Sequence, residues 1–357
     1  MPTMNDTGHD VPTPMRVGLV GPGGFGRHRA RAVLKTPGLR LVAVAGRDEQ
    51  RARRAPGGSL DVRFCTDGFE LARDPNVDAV IICAPPSSHE GLGLACIEAA
   101  KHVLCEKPLA DSVAACERLV QAAEAGGVCL GTGFNLRFTR AAMLARRLVD
   151  HGEVGSVSHI RAFCGAAPDE SIRSGWRSDP TQSGGGATMD CGVHMIDLAR
   201  WFLGDINPVA AAGTNQVLKN ASCEDNGFLL LRDGEGRAAS LHASWTHWCG
   251  HHYQIEIGGS EGFVRWSYPP LQLVHGRRRA DGSVRTRHHL FASYQLAERL
   301  RGWQWGLVDS LARELRAWAD AIRTGSSPAA TGRDGLEAVR IASAVMDAAD
   351  PRTTRPL

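Results

Sequence analysis

The first 134 residues alternate between short apolar runs and segments whose apolar positions recur with helical spacing. Met15 to Val20 (M-R-V-G-L-V) reads as a buried strand, Leu39 to Ala45 as a second and Arg63 to Cys65 as a short third. Asp78 to Ala84, His102 to Cys105 and Val128 to Phe134 continue the series. Helical periods lie between them: up to about Leu34, near Phe69, from Glu90 to Ala100 and from Val113 to Ala125. Apolar strands alternating with helices predict an α/β fold with a doubly wound parallel sheet over residues 15–134.

After Phe134 the pattern changes. A helix is predicted to end near His151, a strand runs from Gly155 to Cys164, and a loop spans Ala166 to Gly186. A helix from about Ala187 to Phe202 stops at Gly204. Five short strands then follow: Gly227 to Leu231, Arg237 to Trp245, Tyr253 to Gly258, Gly262 to Trp266 and Leu271 to His275. Turns such as Asp233-Gly234 and Asp281-Gly282 separate them, which predicts an antiparallel sheet with one face free. Trp245, Trp248, Trp303 and Trp305 are candidates for that face, with core packing the plainer reading for each. Helices over Leu307 to Ile322 and Gly335 to Ala348 close the chain. The expected organisation is a flexible tail at 1–14, one domain at 15–134 and a second, α+β domain at 135–357.

The length of 357 residues fits two domains, and the net charge of +3 gives no reason to expect nucleic acid. The one basic cluster, Arg277-Arg278-Arg279, lies in a polar stretch. None of the ten cysteines forms a C-x-x-C pair; Cys83, Cys105 and Cys129 sit in apolar runs, as small hydrophobes do in a reducing compartment. Met1 to Pro14 lacks the apolar core of a signal peptide, and no apolar run reaches membrane-spanning length. The expectation is a soluble cytoplasmic protein with no membrane partner.

The chemistry begins at Gly21-Pro22-Gly23-Gly24-Phe25-Gly26, a G-x-G-x-x-G sequence between a strand and a helix. Gly21 permits the tight turn, Gly23 lets backbone approach a pyrophosphate, and Gly26 lets helix and strand pack closely. The helix N-terminus favours the anion. At the end of the second strand a dinucleotide site usually places an acidic ribose ligand. Here that place is Gly46, followed by Arg47 and Asp48. The arginine opens NADP as cofactor, and Asp48 keeps NAD open.

Lys107 closes the fifth strand in Glu106-Lys107-Pro108, in a chain with only four lysines. At the carboxyl edge of a parallel sheet it lies where a nicotinamide would reach. Asp190, His194 and Asp197 are spaced to share one face of a helix. A helix-surface hydrogen bond is the plainer reading of Asp190 and His194. A metal is not expected, because no third ligand has convincing spacing and His247, His251 and His252 accompany no cysteine pair.

Taken together, these segments resemble the Gfo/Idh/MocA oxidoreductases, from about Met15 to Asp347. The resemblance rests on the Gly21 to Gly26 loop, Ile82 to His89 (I-C-A-P-P-S-S-H), Glu106-Lys107-Pro108, Gly133 to Phe138 (G-F-N-L-R-F) and Ser183 to Asp197 (S-G-G-G-A-T-M-D-C-G-V-H-M-I-D). It implies a Rossmann domain followed by a domain with a large open-faced, mostly antiparallel sheet for substrate binding and subunit packing. It also implies a catalytic set of Lys107, Asp190 and His194. Cofactor contacts are expected from Gly21, Gly23, Gly24, Phe25, Gly26 and Arg47, and from Ala84, Pro85, Ser87, His89, Glu106 and Lys107. Asn135, Arg137, Trp176 and Arg177 are candidates for substrate contacts. Gly46 is the departure from the family pattern.

The implied activity is NAD(P)-dependent interconversion of a secondary ring alcohol and a ketone. The substrate would be a sugar, a cyclitol or a sugar moiety, with an aminoglycoside of secondary metabolism as one case. A homodimer or homotetramer is expected. Two alternatives remain from the sequence: a non-catalytic dinucleotide sensor, against which the intact catalytic set speaks, and a glycosidase that uses NAD for transient oxidation.

Overall fold

The computed structural model describes residues 13–54, 61–219 and 223–349. The expected tail therefore lies, up to residue 12, outside the described residues. The first sheet holds six parallel strands: β1 (Met15–Val20), β2 (Leu39–Ala45), β3 (Arg63–Cys65), β4 (Ala79–Ile82), β5 (His102–Glu106) and β6 (Leu130–Gly133). Their order is β3-β2-β1-β4-β5-β6. Val17, Leu19, Val80, Ile81 and Leu104 are all buried, because helices cover both faces of the sheet. These are α1 (Gly24–Leu34), α2 (Glu49–Arg54), α3 (Gly68–Ala72), α4 (His89–Glu98) and α5 (Val113–Gly126). Local chemistry sets their limits. Ser112 caps α5 by accepting the Ala115 N–H at 3.3 Å, and Gly127 ends it with φ of 63°.

The second sheet holds β7 (Val157–Gly165), β8 (Asn207–Thr214), β9 (Asn226–Arg232), β10 (Ala238–Ser244), β11 (His252–Gly259), β12 (Gly262–Tyr268), β13 (Gln272–Arg278) and β14 (Val284–His289). Their order is β14-β13-β12-β11-β7-β10-β9-β8, antiparallel except where β7 and β10 run parallel. The remaining helices are α6 (Arg140–Asp150), α7 (Glu170–Arg173), α8 (Pro180–Ser183), α9 (Val193–Leu203), α10 (Ala292–Arg301), α11 (Gln304–Thr324) and α12 (Gly332–Ala349). Helices α9 and α12 cover one face of this sheet. On the sheet, Val209, Phe228 and Leu230 are exposed.

Helix α11 does not stay with the second sheet. Its Val308, Leu311, Leu315 and Trp318 share a buried cluster with Val17, Leu19 and Val33. The far end of the chain thus returns to cover one face of the first sheet beside α1. Among the described residues, no helix is long and apolar enough to cross a membrane.

Candidate active site

The β1–α1 loop opens at the carboxyl edge of the first sheet. Gly21 adopts φ of +89°, and a Cβ there would meet the Cys83 carbonyl carbon at 2.6 Å. A Cβ on Gly26 would lie 2.0 Å from the Gly21 oxygen, so the helix could not sit against the turn. Gly23 and Gly24 are exposed and a Cβ on either would meet nothing within 4 Å. No side chain caps α1. The loop therefore leaves open space in front of a helix N-terminus, which fits a pyrophosphate. Phe25, Ala84 and Pro85 flank the loop half-buried, and Ser87 is exposed.

At the end of β2 the direction of a Gly46 Cβ is occupied by the Pro22 ring, 2.5 Å away. A carboxylate side chain cannot be placed there while Pro22 holds that position. Arg47, next in the chain, is exposed.

Lys107 leaves the end of β5, and its peptide bond to Pro108 is cis. Its ammonium lies 3.1 Å from Asp190 Oδ1 and donates to the Asp190 carbonyl at 2.5 Å. Asp190 stands on a π-helical turn, Thr188–Gly192, that feeds straight into α9. Its other carboxylate oxygen accepts the indole N–H of Trp245 at 3.0 Å and lies 3.6 Å from Arg177 Nε. Trp245 is fully buried just beyond β10. Burial alone would raise the Asp190 carboxyl. The Lys107 ammonium, Arg177 and the Trp245 N–H override that and hold it well below the usual carboxylate range.

His194 lies one turn further on, buried, with its ring edge-on to Phe134 at 5.9 Å. No hydrogen bond joins it to Asp190 among the described residues. Asp190 is held instead by Lys107 and Trp245, and the widened π turn separates it from the regular helix. His194 Nδ1 is buried without a partner. Burial, reinforced by the Lys107 charge, pushes the imidazole well below its ordinary value, so it is neutral near pH 7. His251 stands near this group, its Nε2 2.5 Å from the Tyr253 hydroxyl.

Other candidates take internal roles. Arg137 is buried and forks onto Asp197, with Nε 2.9 Å from Oδ2 and Nη2 2.5 Å from Oδ1. This pairing occupies both carboxylate oxygens of Asp197. Asn135 is buried and donates to Ser310 Oγ at 3.1 Å. Both side chains are thus engaged within the protein. His89 is likewise enclosed, its ring nitrogens 2.8 Å from the Ala84 carbonyl and 3.0 Å from the Pro108 carbonyl. It braces the segments at Ala84 and Pro108 against each other. Glu106 accepts from Arg29 Nε at 2.5 Å. Trp176 and Arg177 stay half-buried at the site, the guanidinium 5.0 Å from the indole centroid. Sequence reasoning missed the role of Trp245 and the burial of Arg29 and Glu314. Nothing local marks a tryptophan at a strand end as a carboxylate's donor. Among the described residues, no group of three His, Cys, Asp or Glu side chains could hold a metal ion.

A glycine cradle before a helix, with a lysine–carboxylate pair and a neutral histidine across the sheet edge, defines a dinucleotide-dependent oxidoreductase. Residues 15–134 match the model of an oxidoreductase family with an NAD-binding Rossmann fold, and residues 142–265 match the GFO/IDH/MocA C-terminal domain. The chain belongs to the Gfo/Idh/MocA family, NAD-binding oxidoreductases acting on CH–OH groups. Inositol 2-dehydrogenase of Rubrobacter xylanophilus is 32% identical over 337 residues, 92% of this chain and 89% of that protein. Inositol 2-dehydrogenase 2 of Saccharopolyspora erythraea is 30% identical over 353 residues, 96% and 95% of the two chains. An oxidoreductase domain protein from Kribbella flavida superposes with a TM-score of 0.84 at 28% identity, over 95% of this chain and 98% of that one. A levoglucosan dehydrogenase complex with NADH and levoglucosan gives 0.81 at 25% identity, over 94% and 97%.

Proposed function

We propose that this protein reversibly oxidises a secondary ring alcohol of a cyclitol or sugar to the ketone, with Lys107, Asp190 and His194 as its catalytic residues. The observation that carries the reading is the Lys107–Asp190–Trp245 cluster beside a neutral, buried His194 at the edge where the glycine cradle opens. Lys107 binds the reacting oxygen and stabilises alkoxide charge as it develops. Asp190 is the counter-charge that fixes the ammonium. His194 accepts the hydroxyl proton on Nε2, since Nδ1 is sealed off. Its low basicity is offset by the lysine's hold on the alkoxide. The dinucleotide supplies the hydride acceptor. Residues 135–357 supply the substrate-facing loops, including Trp176, Arg177 and His251.

The names of the relatives support inositols and anhydrosugars as first substrates. An amino sugar is the narrower case and belongs in the same panel. At the adenosine end, Gly46 and the exposed Arg47 support use of NADP alongside NAD. The exposed Phe228 and Leu230 line a groove of about 460 Å³ on the sheet, which supports a second copy of the chain packing there. The test is a polyol, anhydrosugar and amino sugar panel with each dinucleotide, following nicotinamide absorbance. Ketone formation coupled to dinucleotide reduction is expected. No reduction across the panel by protein that binds NADH would refute the reading.

A further inference from the structure

Beneath the cofactor cradle lies a buried ionic unit that the reaction itself does not use. Arg29, from α1, is 0% exposed; Glu106 is 7% and Glu314 is 2% exposed. Arg29 Nε donates to Glu106 Oε1, and its Nη1 donates to Glu314 Oε2. Glu106 is the residue before Lys107 and also accepts the Lys107 N–H at 3.3 Å. Glu314 comes from α11, at the other end of the chain. One guanidinium therefore ties together the phosphate-binding helix, the strand end that carries the lysine, and the returning C-terminal helix.

We propose that Glu314 is a positioning residue whose protonation sets, through Arg29, how well α1 and the Lys107 strand end hold the dinucleotide.

The unit has one permanent cation and two carboxylates. With both ionised it holds a net negative charge out of water, which is unfavourable; one proton makes it neutral. Hydrogen bonding favours Glu314 as the carrier of that proton. Glu314 Oε1 is buried with no partner, whereas Glu106 takes both the Arg29 Nε and the Lys107 N–H. Several other titratable groups face the unit: His194 of α9 feels Arg29 and His89 of α4 feels Glu106, and burial keeps both imidazoles neutral, while the buried Cys105 thiol of β5, beside Glu106, is pushed up. From the end of β4 comes Cys83, whose thiol burial pushes up, so it stays neutral. From α9 comes Asp197, which burial pushes up to about 6 against the pull of its partner Arg137, so it is ionised over most of the range in which Glu314 titrates. Burial pushes Glu314 up to about 7, with Arg29 opposing the rise and Glu106 reinforcing it.

The direction of the effect follows. Below that value Glu314 is neutral, and the Arg29 charge serves Glu106 and the anion-binding helix. Above it, Glu314 ionises and adds a negative charge beneath the phosphates, which weakens binding. Dinucleotide binding near pH 7 then takes up a proton.

Full-length protein is titrated with NADH at about pH 6 and about pH 8, with calorimetry in two buffers of different ionisation enthalpy. Wild-type affinity is expected to be on the order of fivefold weaker at the higher pH, with proton uptake on binding. Glu314→Gln mimics the neutral acid. It should abolish the pH dependence and bind NADH more tightly than wild type at the higher pH. Wild-type binding that is independent of pH with no proton uptake overturns the proposal. So does a Glu314→Gln protein that keeps the wild-type profile or loses affinity equally at both pH values. If Glu314→Gln does not fold, wild-type proton uptake alone decides. None of these readings needs turnover, so they stand apart from the identity of the substrate.

Discussion

Replacing Lys107 by methionine keeps most of the stem and removes the charge. At 3.1 Å from Asp190 Oδ1, Coulomb's law in an effective dielectric of about 20 gives about 5 kcal/mol for the lost attraction. The ammonium's own desolvation no longer counts against folding, and Asp190 keeps Trp245 and Arg177. Breaking one side of a buried pair costs about 3–5 kcal/mol, so the lower end applies here. In the wild type the Asp190 carboxyl is depressed, so it stabilises the fold above the ordinary carboxylate range, and that contribution is lost only as pH falls through its low native value. In the variant, burial outweighs what remains and the native carboxyl rises. The deficit is then greatest at neutral pH and shrinks as acid protonates Asp190. Urea unfolding at about pH 7 and about pH 5 should give a loss of about 3 kcal/mol at the first and clearly less at the second. NADH titration should show binding largely intact, while turnover falls on the order of 10³-fold. An equal deficit at both pH values would refute the electrostatic reasoning, and near-normal turnover would remove Lys107 from the catalytic set.

Gly26→Ala places a methyl 2.0 Å from the Gly21 oxygen, so NADH binding should be lost along with part of the stability, read by fluorescence titration and thermal melting. Arg47→Ala should weaken NADPH several-fold while leaving NADH nearly unchanged; equal effects on both would dissociate Arg47 from the 2′-phosphate. Arg137→Met leaves Asp197 buried without its fork and should lower stability by about 3–5 kcal/mol, with NADH affinity unaffected.

The parallel sheet was legible because its strands are buried on both faces, and continuous apolar runs such as Ala79–Ile82 read plainly. The proposed catalytic trio came from motif resemblance rather than from spacing. The sequence pattern aligned Asp190, His194 and Asp197, but Asp190 on the π turn pairs with Lys107 and Trp245, Asp197 pairs with Arg137, and His194 bonds to neither carboxylate. Strands β8 and β14 escaped notice. Both are edge strands with no buried position; the first is built mainly from small residues (N-P-V-A-A-A-G-T) and the second mainly from polar ones (V-R-T-R-H-H). Neither carries an apolar alternation, and pairing with β9 and β13 defines them. Arg29 is one of three arginines on α1. Its burial depends on Glu106 and on Glu314, 285 residues away, a separation no local pattern spans.

The most direct test of the account is hydride transfer itself. Protein is incubated with NAD and, separately, NADP, and with a ring polyol deuterated at its carbinol carbons, and the products are read by mass spectrometry. The account predicts one deuterium in the reduced dinucleotide for each ketone formed, and on the order of 10³-fold less of both products with Lys107→Met. Bound dinucleotide with no label transferred from any polyol, anhydrosugar or amino sugar would contradict it.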